Sequence, residues 1–144
     1  MEGTILNQDL FEKDIKKTIL DSFIKGRDEM VKHADFILSF DYPFSDAEGL
    51  VSDIDLFLED PTQDIKPLYY RLVSCSTNDK VKGALDFMKT RYLNNIETLE
   101  KINRMDPEVQ IMDEKDLVDI SGAFQETLRT VEKMLRELKE RLTK

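Results

Sequence analysis

The chain has 144 residues, 40% of them hydrophobic and 35% charged, with a formal net charge of −9. That is enough apolar mass for one folded domain over residues 1–144 and too much charge for a membrane protein. One cysteine and one histidine exclude an internal disulfide framework and a His-rich metal site, and five glycines with four prolines are too few to punctuate a β sandwich or barrel, so the expected class is all-α.

From about Gln8 to Phe40 the residues Phe11, Ile15, Ile19, Phe23, Met30, Ala34 and Ile37 recur at helical steps. Leu20, Ile24, Val31 and Leu38 widen that apolar side, which predicts a long first helix with several neighbours. Asp41-Tyr42-Pro43-Phe44 ends it, because proline lacks a backbone donor and pushes its predecessor out of the helical region. Ser45 and Glu48 have capping-box spacing for a second helix carrying Leu50, Val51, Ile54, Phe57 and Leu58. Pro61 and Pro67 interrupt the next stretch, so Pro61–Cys75 reads as a kinked or two-part helix, and the second rod of the bundle is broken there.

A fourth helix is expected over Asn78–Met105, capped by Ser76 or Thr77, and a last one over Asp113–Leu142 after the Asp106-Pro107 break. Asp113, Glu114 and Asp116 open the last helix and Lys139, Arg141 and Lys144 close it, as the helix dipole prefers. Short links reverse direction, so the expected fold is a single-domain antiparallel up-down-up-down bundle of about five helices with both termini at one end. Phe36, Phe40, Tyr42 and Phe44 are expected to plug the bundle end, and Gly122 beside Ser121 and Ala123 predicts a tight helix crossing. Met1-Glu2-Gly3-Thr4 lacks the basic and apolar regions of a secretory signal, no apolar run approaches a membrane span, and the lone thiol Cys75 fits a reducing compartment. A cytoplasmic location is expected.

Charge is the least ordinary feature. Asp41, Asp46, Glu48, Asp53, Asp55, Glu59, Asp60 and Asp64 lie between residues 41 and 65 with no Lys or Arg, leaving the other 119 residues at −1. Such a block repels nucleic acid and steers a basic protein toward it. Leu56 falls on the charged side of the second helix, among Glu48, Ser52, Asp55 and Glu59, where it can anchor a contact. The sequence therefore points to a non-catalytic interaction module, of adaptor, inhibitor or immunity, or chaperone type. Asp46, Glu48, Asp53, Asp55, Leu56, Glu59 and Asp60 are its partner-binding residues. No cofactor, nucleic acid or membrane is expected, and the protein is expected as a monomer or homodimer.

An enzymatic alternative rests on Glu97-x-x-Glu100 and Asp116-x-x-Asp119. Two carboxylate pairs on antiparallel helices can share Mg²⁺ and position a phosphate ester. This arrangement resembles the MazG-type all-α nucleotide pyrophosphohydrolases, and the resemblance covers about 25 residues. It departs from their pattern in having Asp116 where glutamate is expected, and Asn94, Asn95 and Ile96 where a further glutamate precedes the first pair. The Arg27 and His33 spacing is similar to that of HEPN-type helical ribonucleases, but the two side chains sit about 120° apart on an ideal helix, and His33 is expected as a partly buried residue satisfied by a neighbour.

Overall fold

The computed structural model describes residues 2–106, 108 and 110–143, with side chains described from residue 13 onward within this set. Phe11, Pro107 and Lys144, named above for the helix pattern and its ends, lie outside the residues described at side-chain level. Five helices run in order: α1 Glu2–Leu38, α2 Ala47–Glu59, α3 Lys66–Cys75, α4 Asp79–Arg104 and α5 Glu114–Leu142. The all-α helical bundle expected from periodicity is the observed fold. Among the described residues the only extended pairing is an isolated Phe44–Ser76 bridge.

Capping chemistry sets the helix starts. Asn78 caps α4 by accepting from the amides of Lys80 (2.9 Å) and Val81 (3.2 Å), one or two residues later than the expected Ser76 or Thr77. Asp113 and Asp116 form a reciprocal capping box on α5. The expected Ser45–Glu48 box is absent: the residue before α2 is Asp46, in left-handed conformation at φ 51°. Ser45 is used elsewhere. Its amide and hydroxyl both donate to the Cys75 carbonyl, at 2.7 and 3.2 Å, and the Thr77 amide donates to the Pro43 carbonyl at 2.8 Å. These bonds clasp the α1–α2 loop to the α3–α4 loop.

The clasp decides the topology. With α2 starting and α3 ending at the same place, Pro61 and Pro67 mark a reversal, so α2 and α3 form an antiparallel hairpin instead of one bent rod. Arg71 of α3 accordingly sits beside both Asp46 and Asp53 of α2. Direction alternates at every connection as expected, but the hairpin adds one pass. α5 therefore runs parallel to α1, with Lys16 meeting Asp116, Phe23 meeting Phe124 and Leu38 meeting Arg141. The first and last turns lie at opposite ends, which corrects the expectation of shared-end termini.

α1 packs on α4 and α5, while the hairpin bridges those two from the far side, α3 on α4 and α2 on α5. At 1.5 Å per residue α2 is about 20 Å long and α4 about 39 Å, so the hairpin covers one half of the bundle only. In that half Met30, Ile37, Leu50, Ile54, Tyr69, Leu72, Leu85, Met88 and Leu135 are fully buried. Toward the other end α1, α4 and α5 enclose a smaller core of Phe23, Ile102, Met112, Ile120, Ala123 and Phe124. The aromatic plug is partial: Phe44 is buried, whereas Phe36 and Tyr42 face solvent. Gly122 makes no tight crossing, since a Cβ there would meet nothing within 4 Å; Gly26 does, with Arg91 Cδ 3.2 Å from that position.

Candidate functional site

Of the eight carboxylates of the 41–65 segment, Asp41 lies in the loop before α2 and the other seven on or beside the α2–α3 hairpin, where the amphipathic pattern of α2 sends Leu50, Ile54 and Phe57 inward. Leu56 is 59% exposed, as its position among the acids predicts. Its carbonyl accepts from Gln63 Nε2 at 2.8 Å, which ties the reversal to the end of α2. Beside Leu56 lies a depression of about 330 Å³, bordered by Asp53, Asp64, Pro67 and Arg71.

The acids divide into two groups. Arg71 bonds Asp46, and its Nε stands 3.2 Å from Asp53 Oδ2. Lys139 of α5 reaches Asp55 Oδ1 at 2.5 Å. These three carboxylates share two cations, Arg71 of α3 and Lys139 of α5, which corrects the picture of an uncompensated block: the charge pattern of the segment omits cations that folding brings from elsewhere. Gly49 makes room for this arrangement, because a Cβ there would stand 2.7 Å from Arg71 Nη2 and 2.5 Å from Asp46 Oδ2. Glu48 and Glu59 are exposed and make no ion pair among the described residues. Asp60 accepts from the amide (3.3 Å) and hydroxyl (2.5 Å) of Thr62, and Asp64 from the Lys66 amide at 3.0 Å. The negative field of the ridge thus comes chiefly from Glu48, Glu59, Asp60 and Asp64 around Leu56.

The four carboxylates of the alternative reading are not brought together. Asp116 is 8% exposed and turns to α1, where Lys16 Nζ lies at 2.5 Å. The hydrogen bond from Lys16 holds the Asp116 carboxyl below the ordinary range, and the same bond raises the Lys16 ammonium. Glu97 pairs with Lys101 at 3.1 Å on its own helix, and Glu100 and Asp119 are exposed. α4 and α5 meet through apolar side chains, with the Tyr92 and Phe124 rings stacked 6.1 Å apart, and not through these carboxylates. Among the described residues no group of three or more His, Cys, Asp or Glu is placed to hold a metal ion.

His33 Nδ1 lies 2.7 Å from the Glu29 carbonyl, so the histidine is satisfied within its own helix. Arg27 turns the other way, to Asp28 and to Glu126 of α5, each at 3.3 Å; the two residues form no joint site. Between α4 and α5, below the hairpin turn, a cleft of about 480 Å³ is lined by Phe57, Ile65, Tyr92, Ile96, Phe124 and Leu128. Burial foremost, then the nearby Asp64 charge, raises the Tyr92 phenol above its ordinary value. Sequence reasoning missed a second feature, a groove on the α1–α4 seam that exposes Phe36 and Phe87. Its trace in the sequence is the i, i+3, i+4, i+7 stripe Lys80, Gly83, Ala84, Phe87.

Compared with protein-family models, with curated proteins and with solved structures, the chain matches none of them. No described helix is long and apolar enough to cross a membrane. The class supported by the geometry is an all-α five-helix bundle with an acidic hairpin on one face.

Proposed function

We infer that the protein is a non-catalytic interaction module whose α2 ridge receives another protein through a basic surface. One observation carries this reading: an exposed leucine, Leu56, stands among carboxylates that lack internal cations, with Glu59 one turn on and Glu48 two turns back. An apolar anchor inside a charged rim is the arrangement by which interfaces gain affinity from the centre and specificity from the edge. Asp46 and Asp53, sharing Arg71, and Asp55, paired with Lys139, shape the ridge through α3 and α5 and offer less free charge. We place the protein in the cytoplasm, as an adaptor, an inhibitor of a basic protein, or a chaperone.

The test is affinity capture with three chains: wild type, Leu56→Ser, and the double variant Glu48→Lys/Glu59→Lys. Both variants alter exposed positions and keep the helical circular dichroism. The expected result is loss of a basic protein from both captures, more completely in the charge-reversed chain. Retention of every captured protein by both variants overturns the reading.

A further inference from the structure

The seam between α1 and α4 carries a groove whose chemistry is the inverse of the α2 ridge. Its floor is Gly83 and Ala84, and space is open above Gly83, where an added Cβ meets nothing within 4 Å. Its walls are Phe36, 41% exposed, and Phe87, whose ring stacks on His33 with centroids 4.3 Å apart. Lys32 and Lys80 are the charged residues of its lining, and no described carboxylate joins them. Next to Phe87, Arg91 is held by Glu29 at 2.7 Å, with its guanidinium carbon 5.8 Å from the Phe87 ring.

An apolar slot flanked by lysines fits an apolar side chain carried between carboxylates, and this chain itself displays one. We propose that the α2 ridge of one copy docks into the α1–α4 groove of a second copy, with Leu56 over Gly83 and Ala84, and Glu48 and Glu59 against Lys32 and Lys80. This rests on the reading of the ridge as an interaction surface and adds a second copy of the chain to the partners that surface takes. Within one molecule the two patches do not meet, because α2 packs on α3 and α5 while the groove belongs to α1 and α4. The two surfaces differ, so the contact is heterologous: it repeats head to tail and extends with concentration unless a ring closes. A net charge of −9 on each copy opposes approach and keeps the association weak.

Sedimentation equilibrium over a concentration series tests this. The wild-type chain is expected to show a weight-average mass rising above that of the 16.8 kDa monomer. The groove variant Lys32→Glu/Lys80→Glu and the ridge variant Glu48→Lys/Glu59→Lys are each expected to stay monomeric with unchanged helical dichroism. Their equimolar mixture regains association, since each reversed surface meets its complement. A wild-type chain that is monomeric at its highest soluble concentration, a groove variant that associates like wild type, or a mixture that stays monomeric overturns the proposal. None of these outcomes touches the reading of the ridge, because the groove variant keeps its ridge and the capture experiment reports on a different protein.

Discussion

The two halves of the bundle use the same kinds of residue and bury them differently. At the hairpin end Leu50 and Ile54 from α2 and Leu72 from α3 close over Met30, Leu85 and Leu135, and all six are at most 1% exposed. At the other end α1, α4 and α5 lack the hairpin, and Ile19, Leu20, Ile96, Leu99, Leu117 and Leu128 remain half-buried around Phe23 and Phe124. Leu85 and Leu99 occupy the apolar side of one helix, α4, two heptads apart. Only Leu85 has a layer above it. Burial is a property of neighbours, and a short hairpin supplies it to half of the molecule.

Truncation at the two ends is the strongest way to break that comparison. Leu85→Ala leaves a cavity among closed neighbours and is expected to cost about 2–5 kcal/mol in urea denaturation. Leu99→Ala removes contacts already shared with water, so about 1 kcal/mol is expected. Equal losses would show that the hairpin does not set the local stability.

The covered end also carries a polar cost. Tyr69 is fully buried, its hydroxyl has no hydrogen-bond partner among the described residues, and burial pushes its phenol well above the ordinary value. Tyr69→Phe keeps the ring and removes the orphaned group, so stability should rise by about 1 kcal/mol. A fall in the same denaturation experiment would mean that the hydroxyl is satisfied.

The smallest effect belongs to the open end, where Lys16 ties α1 to the first turn of α5 through Asp116. The folded state holds the Asp116 carboxyl below its ordinary range. Its contribution is therefore complete above the unfolded carboxylate pKa and is lost as pH falls through the depressed folded value. Lys16, raised in the fold, contributes fully below the ordinary lysine pKa and loses that contribution as pH rises through the raised one. Thermal melts of wild type and Asp116→Asn should differ most near neutral pH and converge in acid. A gap that stays constant down to low pH would show that the charge of the Asp116 carboxylate contributes nothing.

Much of the fold was legible along the chain. The 3.6-residue pattern marks each helix, Pro43, Pro61 and Pro67 mark the interruptions, and Leu56 stands out as an apolar residue on a polar side. The candidate site was legible only as a set of acids close together in sequence. Which of them face a cation depends on Arg71 and Lys139, which come from helices that local pattern cannot place beside α2. The groove on α1 and α4 was hidden for the same reason: Phe36 and Phe87 share a site only once α1 lies beside α4.

Helix content, the approximate helix boundaries and the inward faces came from sequence alone, because they depend on residues a few positions apart. The reversal of α3 on α2, the parallel pairing of α1 with α5 and the balance of charge on the ridge were decided by the tertiary structure. Each depends on a long-range bond, foremost the clasp of Ser45 and Thr77 with Cys75 and Pro43. A proline announces that a helix stops; the groups waiting across the gap determine where the chain goes next.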